Sequence, residues 1–193
     1  ATTDATKPVG VALSPEEVAD YTQRGIPIKQ DASGRVRRVV HSPVPQDIVE
    51  AAAVRELVAD GKIVIAAGGG GAPVHYDRPG HLEGLDAVVD KDRAAAILGR
   101  CLNADTFLIL TDVDGVYRKW RTEHRELLRM LTVGEATSLV ESDELGAGSM
   151  RPKVMAAVNF LEQGGRRAII AHLDDGWAAL RGQVGTAITW RAE

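Results

Sequence analysis

The 193-residue chain has one cysteine, 4% aromatic residues and no long apolar run. A lone Cys101 cannot build a disulfide framework and suits a reducing compartment, so the expected location is cytoplasmic. So few aromatic rings leave no row of stacking platforms for single-stranded nucleic acid. The longest uncharged stretch, Ile63 to Val74, is too short to span a bilayer, and four of its residues are glycine. The first residues show no basic region followed by an apolar one, so no secretory leader is read there. Neither sign of charge dominates: 23 basic and 27 acidic side chains give a net charge of −4, with no long-range pull toward nucleic acid or anionic lipid. Neither class is expected as a partner, and any anion must be held locally.

What is present is ordinary globular material. Apolar residues make up 45% and charged residues 26%, enough to bury a core. At ~150 residues per domain the length predicts about one domain with an appendage. Ser14, Pro15 and Glu17 form a capping-box helix start, with Leu13 and Val18 as a staple and Gly25 at the far end. Ile26–Lys29 and Val36–Val40 read as strands joined by the turn Asp31-Ala32-Ser33-Gly34. Residues 1–46 are thus expected to form a small lobe, and residues 47–193 an α/β domain.

In that domain helices and apolar strands alternate. A helix is expected from Asp47 to Asp60 with Gly61 at its end, then Ile63–Ala67 as a buried strand. Ala94, Ile97, Leu98, Cys101 and Leu102 make one helical face behind Asp90, the expected N-cap. Thr106–Thr111 is a second strand, Thr132 with Glu135 a second capping box, and Ser149 opens a helix closed by Gly164-Gly165. Arg167–Ala171 and Gly185–Trp190 complete the strands. This alternation implies a largely parallel sheet with helices on both faces, whose ligands bind beyond the carboxyl ends of the strands.

Chemistry is therefore sought after each strand. Gly68, Gly69, Gly70 and Gly71 lack Cβ atoms and could turn several backbone N–H groups onto a phosphate, or form a flexible turn; they match neither the P-loop nor the Rossmann pattern. Asp90-Lys91-Asp92 sets a lysine between two carboxylates at a helix start. It reads either as a cap beside a solvated charge or as a charged stabiliser of a transferring phosphoryl group. A lysine so flanked keeps its proton and does not act as a base. Gly148-Ser149-Met150-Arg151-Pro152-Lys153 opens a helix with a hydroxyl cap and a lysine in the first turn. That cation opposes the helix dipole unless an anion lies between, and a snorkelling surface lysine is the other reading. The five histidines are dispersed without metal-ligand spacing, so no protein metal site is expected.

Six stretches carry a resemblance: A-T-K-P-V-G at 5–10, R-R-V-V-H-S-P at 37–43, I-A-A-G-G-G-G-A-P-V at 65–74, E-G-L-D-A-V-V-D-K-D at 83–92, L-T-D-V-D-G-V at 110–116 and G-S-M-R-P-K-V at 148–154. In order and spacing they resemble carbamate kinase. The resemblance implies the amino-acid kinase fold, a three-layer α/β/α sandwich, typically dimeric, with a small protruding lobe. It implies interconversion of ATP plus carbamate with ADP plus carbamoyl phosphate, using Mg²⁺ that accompanies the nucleotide. It further makes Lys7, Lys91 and Lys153 the cations around the transferring group. Asp86, Asp90 and Asp92 would orient those lysines or the metal, Gly68–Gly71 would border the phosphoryl or carbamoyl position, and Thr111, Val113, Tyr117, Ser149 and Met150 would form the nucleotide pocket. Ala5 stands where the family usually has proline, and Glu144-Leu145-Gly146-Ala147 replaces the usual approach to Gly-Ser-Met. The chain begins without methionine and resembles only the later part of the family. The early strand with its Gly-Gly-Asn loop and a second glycine-rich loop have no counterpart, so a piece of a longer protein is expected. A nucleotide-binding module without catalysis, or a relative with another acyl or nucleotide acceptor, are the alternative readings.

Overall fold

A computed structural model of the chain describes residues 5, 7–31, 33–120, 122–142, 144–145 and 149–191. They form two compact units that do not follow a single cut along the chain: residues 1–45 with 67–91, and residues 46–66 with 92–193.

The first unit is built on a three-stranded antiparallel sheet, β1 (Lys7–Val9), β3 (Val36–Val40) and β2 (Ile28–Gln30), with β3 in the middle. Helix α1 (Pro15–Gln23) starts where the local signals place it: the Ser14 side chain accepts from Glu17 N–H, and the Glu17 carboxylate accepts from Ser14 N–H at 2.7 Å. Gly25, with φ +68°, follows the C-cap residue Arg24. The β2–β3 turn is closed by Asp31, whose carboxylate accepts from the Ser33 and Arg35 N–H groups. Ala32 and Thr6 lie outside the described residues. An exposed hairpin, β4 (Val74–Arg78) with β5 (His81–Gly84), also belongs to this unit and has no counterpart in the sequence reading. Its residues are all exposed, so no apolar alternation marks it.

The second unit carries the principal sheet, ordered β6 (Thr106–Thr111), β10 (Arg167–His172), β11 (Thr186–Thr189), β9 (Met130–Thr132). Two parallel pairs, β6–β10 and β11–β9, meet at one antiparallel junction. A short hairpin, β7 (Val116–Arg118) with β8 (Glu126–Leu128), stands between β6 and β9 in sequence. Helices α4 (Val133–Glu141) and α5 (Met150–Glu162) pack on one face, where Ile109, Leu131, Leu139, Val154, Phe160, Leu161, Ile170 and Ile188 form the main core. The short α6 (Gly176–Leu180) covers part of the opposite face, packing Ala179 on Ile169 and Ala171. The result is a three-layer α/β/α sandwich with a largely parallel sheet. Two further helices, α2 (Ala51–Ala59) and α3 (Lys91–Cys101), share a small cluster of Ala51, Ile97 and Cys101. Arg55 donates its Nε–H to the Cys101 carbonyl at 2.9 Å. The α3 stripe is buried as its spacing predicts at Ala94, Ile97 and Cys101.

Three local expectations change. Helix α2 begins at Ala51, not Asp47; the Asp47 carboxylate instead accepts from Ile48 N–H at 2.8 Å. The expected strand Ile63–Ala67 is irregular, and Ile63 and Ile65 are each 98% exposed. Its composition is that of a buried strand, but no described strand supplies ladder bonds to it, and without a partner an apolar run cannot be buried as sheet. Ser149 makes no side-chain cap on α5: its backbone is already helical (φ −73°, ψ −12°), whereas a capping hydroxyl needs the extended region. Gly148, the expected small-residue approach, lies outside the described residues together with Gly146 and Ala147.

Candidate nucleotide and phosphate site

In the first unit, Lys7 on β1 donates its Nζ–H to Asp90 Oδ2 at 2.7 Å. Pairing of β1 with β3 fixes where that lysine starts, since Lys7 lies opposite Val40. Asp90 is 8% exposed, while the Lys7 side chain is 39% exposed. Lys91 is the exposed first residue of α3. Asp86 is bound by Arg38 at 2.5 Å instead of by one of the three lysines. It is surface-exposed and holds an arginine, where the resemblance implies that it orients a lysine or the metal.

The glycine run is held in place by close approach. Gly70 has φ +134°, and a Cβ built on it would overlap the Val89 carbonyl oxygen and lie 3.4 Å from the Lys91 amide nitrogen. Gly70 N–H closes a tight turn onto the Ala67 carbonyl at 2.8 Å. The loop therefore lies against the backbone that leads into Lys91, and only a residue without Cβ fits there.

In the second unit, Lys153 in the first turn of α5 donates to Asp92 Oδ2 at 3.0 Å. Both groups are buried, Lys153 5% and Asp92 7% exposed. Two of the three carboxylates thus each hold a lysine.

Beyond the carboxyl end of β6 lies a cavity of about 170 Å³ lined by Asp112, Val113, Gly115, Tyr117, Trp120 and, from the α5 side, Leu145, Ser149 and Met150. Drug-sized ligands fill roughly 300–1,000 Å³. This hollow therefore suits one ring system and not a whole nucleotide. It unites Val113, Tyr117, Ser149 and Met150 of the expected nucleotide set. Thr111 does not line it: its side chain is turned to Asp112, donating to Oδ1 at 3.0 Å. Sequence reasoning passed over Asp112, Gly115, Trp120 and Leu145. Trp120 had a usable signal, since it follows Tyr117 by three residues and an arginine comes soon after. The rings of Tyr117 and Trp120 stand 5.1 Å apart, and the Arg125 guanidinium lies 5.9 Å and 5.5 Å from their centroids. The Tyr117 hydroxyl donates to Asp114 Oδ1 at 2.7 Å, and that bond, with burial and the Asp114 charge, pushes the phenol pKa above its usual value. Tyr117 is held as a neutral donor, which fixes its ring as a wall of the hollow.

Lys153 comes three residues after Met150 and four after Ser149, so all three project from one side of α5. A planar group in the hollow would therefore have the amino end of α5 beside it, with Lys153, which does not itself line the hollow, one turn further along the helix, an arrangement that suits phosphates.

Known proteins resemble the chain in sequence and in fold. The sequence profile of the "Amino acid kinase family" matches residues 9–172. Carbamate kinase of Halobacterium salinarum is 47% identical over 189 residues, covering 96% of this chain and 60% of the relative. Carbamate kinase of Pyrococcus furiosus is 45% identical over 184 residues, covering 95% and 58%. The solved structure of Giardia lamblia carbamate kinase bound to AMP-PNP superposes with a TM-score of 0.85 at 35% identity, covering 96% of this chain and 59% of that one. The chain thus spans about 60% of the length of the curated relatives it matches. Profile, sequence identity and superposed fold agree that the chain belongs to the amino acid kinase family.

Proposed function

We propose that the chain is the nucleotide-holding part of a carbamate kinase-type phosphotransferase, interconverting ATP plus carbamate with ADP plus carbamoyl phosphate. The observation that carries this reading is the buried Lys153–Asp92 pair on the α5 face that also lines the ring-sized hollow. A buried ion pair is a poor device for stability, because desolvation offsets much of its attraction. A buried cation beside a helix start and a base-sized cavity is, by contrast, what a nucleotide with trailing phosphates requires.

In this reading the ring of ADP occupies the hollow between Tyr117 and Met150, and its phosphates run toward the start of α5 and Lys153. A terminal phosphate oxygen of ADP attacks the phosphorus of carbamoyl phosphate. The new P–O bond forms as the bond to the carbamate oxygen breaks, and carbamate leaves as the anion, with no proton needed. Such transfers proceed by positioning and charge neutralisation, which is the work assigned to Lys7, Lys91 and Lys153. Asp90 and Asp92 keep Lys7 and Lys153 in place. Mg²⁺ ordinarily leans on phosphate oxygens and water with one or two carboxylates, and since Asp90 and Asp92 each already hold a lysine, it would arrive with the nucleotide and be held chiefly by the phosphates. A cytoplasmic homodimer belongs to the same proposal.

The test is a coupled assay of ATP formation from ADP and carbamoyl phosphate. Lys91→Ala and Lys153→Ala should each lower turnover by roughly 10²- to 10³-fold; near-normal turnover in both would reject the assignment. A second reading, a binding module that holds ADP without transfer, is favoured by the chain's spanning only about 60% of its relatives. Calorimetric titration with ADP separates the two, since saturable binding with no ATP formed would establish the module. The family match alone also admits a different acceptor. Acylated amino acids and nucleoside monophosphates, offered beside carbamate, decide that point.

A further inference from the structure

The second unit holds another, larger cavity, of about 1,020 Å³, on the opposite side of the sheet from α4 and α5. The register explains why it is there. Leu108, Ile169, Ala187 and Met130 lie side by side across the four strands and share the face on which α6 packs. With only five residues, α6 packs chiefly on β10 and β6, and at the far side of the sheet Met130 of β9 is 43% exposed. The apolar floor is Ile169, Ala179, Val184 and Ala187, and Trp190 stands at the side.

The rim has a different character. Arg129, Arg166, Arg167, Arg181 and Arg191 line this cavity, against a single acidic residue, Asp105. In a chain whose net charge is −4, five guanidinium groups around one hollow are a local reversal of sign. Their partners account for little of it. Arg166 meets Asp105 at 3.7 Å with both side chains exposed, Arg167 donates to the Leu180 carbonyl at 3.1 Å, and Arg181 lies 4.8 Å from the Trp177 ring centroid. Crowded like charges repel, and a ligand with several negative groups would relieve that repulsion. The guanidinium fork suits phosphate and carboxylate oxygens alike.

We propose that this cavity binds a small polyanion bearing two or more phosphate or carboxylate groups on a partly apolar body. The site is distinct from the candidate nucleotide hollow. It takes in Thr106 at the start of β6, whereas the hollow begins just beyond Thr111, about 17 Å away along the strand. The proposal does not depend on the phosphotransferase reading.

Titration of the ¹⁵N-labelled chain with inorganic triphosphate, followed by NMR, tests it, with citrate as a second arm to distinguish phosphate from carboxylate recognition. Saturable shifts are expected at the Trp190 indole and at the amides of residues 181–189. Arg129→Gln combined with Arg181→Gln, both exposed positions, should weaken binding about tenfold or more. Raising the salt concentration should weaken it further. Shifts confined to residues 112–120 and 149–153, no saturable shift with either anion, or unchanged affinity in the double variant would each overturn the proposal.

Discussion

At the scale of single residues, the informative positions are those where an atom has no room to be otherwise. Gly70 is one. Its positive φ and its approach to the Val89 carbonyl together forbid a side chain, so Gly70→Ala should cost about 1–3 kcal/mol or displace the loop from the start of α3. Chemical denaturation of the variant measures the first, and amide shifts at residues 88–91 report the second. Lys153 and Asp92 are the other instance. Asp92→Ala would leave a buried ammonium without its carboxylate and should destabilise by roughly 3–5 kcal/mol. The double change Asp92→Leu with Lys153→Met should recover most of that stability while leaving ATP formation abolished, because packing can replace the pair but not its charge. Thermal melts read beside the coupled assay check both halves. Residue types in this region could be read from the chain, since lysines and aspartates at helix starts are local patterns. Their partners could not: that Asp90 takes Lys7 while Asp86 takes Arg38 depends on strands far apart in sequence.

At the scale of elements, success followed locality. The Ser14/Glu17 and Thr132/Glu135 capping boxes formed as spaced, because every atom they use lies within four residues. The α3 stripe was equally legible. The segment at 63–67 was not, because burial of a strand is decided by its neighbours and its own letters do not report whether they are present. Ile63→Lys with Ile65→Lys should therefore change the melting temperature of this chain little and reduce its self-association, as sedimentation velocity would show. The β2–β3 turn gives a prediction in pH. Hydrogen bonding from the Ser33 hydroxyl foremost, with the Arg35 and Ser33 N–H groups and the Arg35 charge outweighing desolvation, holds the Asp31 pKa at about 2 against an ordinary 3.8. A folded-state value below the unfolded one means that the contribution is fully present above about pH 4 and is lost as pH falls toward 2. Asp31→Asn should flatten the acid limb of the stability profile in that window, measured by denaturation at a series of pH values.

At the scale of the molecule, the two units differ in how much apolar material each encloses. The large cluster around Phe160, Ile170 and Ile188 lies wholly in the second unit, whereas the fully exposed β4–β5 hairpin belongs to the first. Hydrogen exchange should protect β6, β10 and β11 most strongly and release the β4–β5 amides first. The α/β class was readable from alternation alone. The division into units was not, since residues 67–91 group with 1–45 through contacts that skip a helix.

Thr186 has no exposed surface, and its hydroxyl serves two masters: it accepts from Val116 N–H at 2.8 Å and donates to the Leu128 carbonyl at 2.5 Å. Gly115 gives it clearance, for a Cβ there would come within 2.6 Å of the same oxygen. One hydroxyl thus bolts both legs of the β7–β8 ribbon to the start of β11, an inner strand of the sheet, and Tyr117 is the next residue after the bolt. The shape of the hollow in front is consequently set from behind, by an atom that no nucleotide could touch.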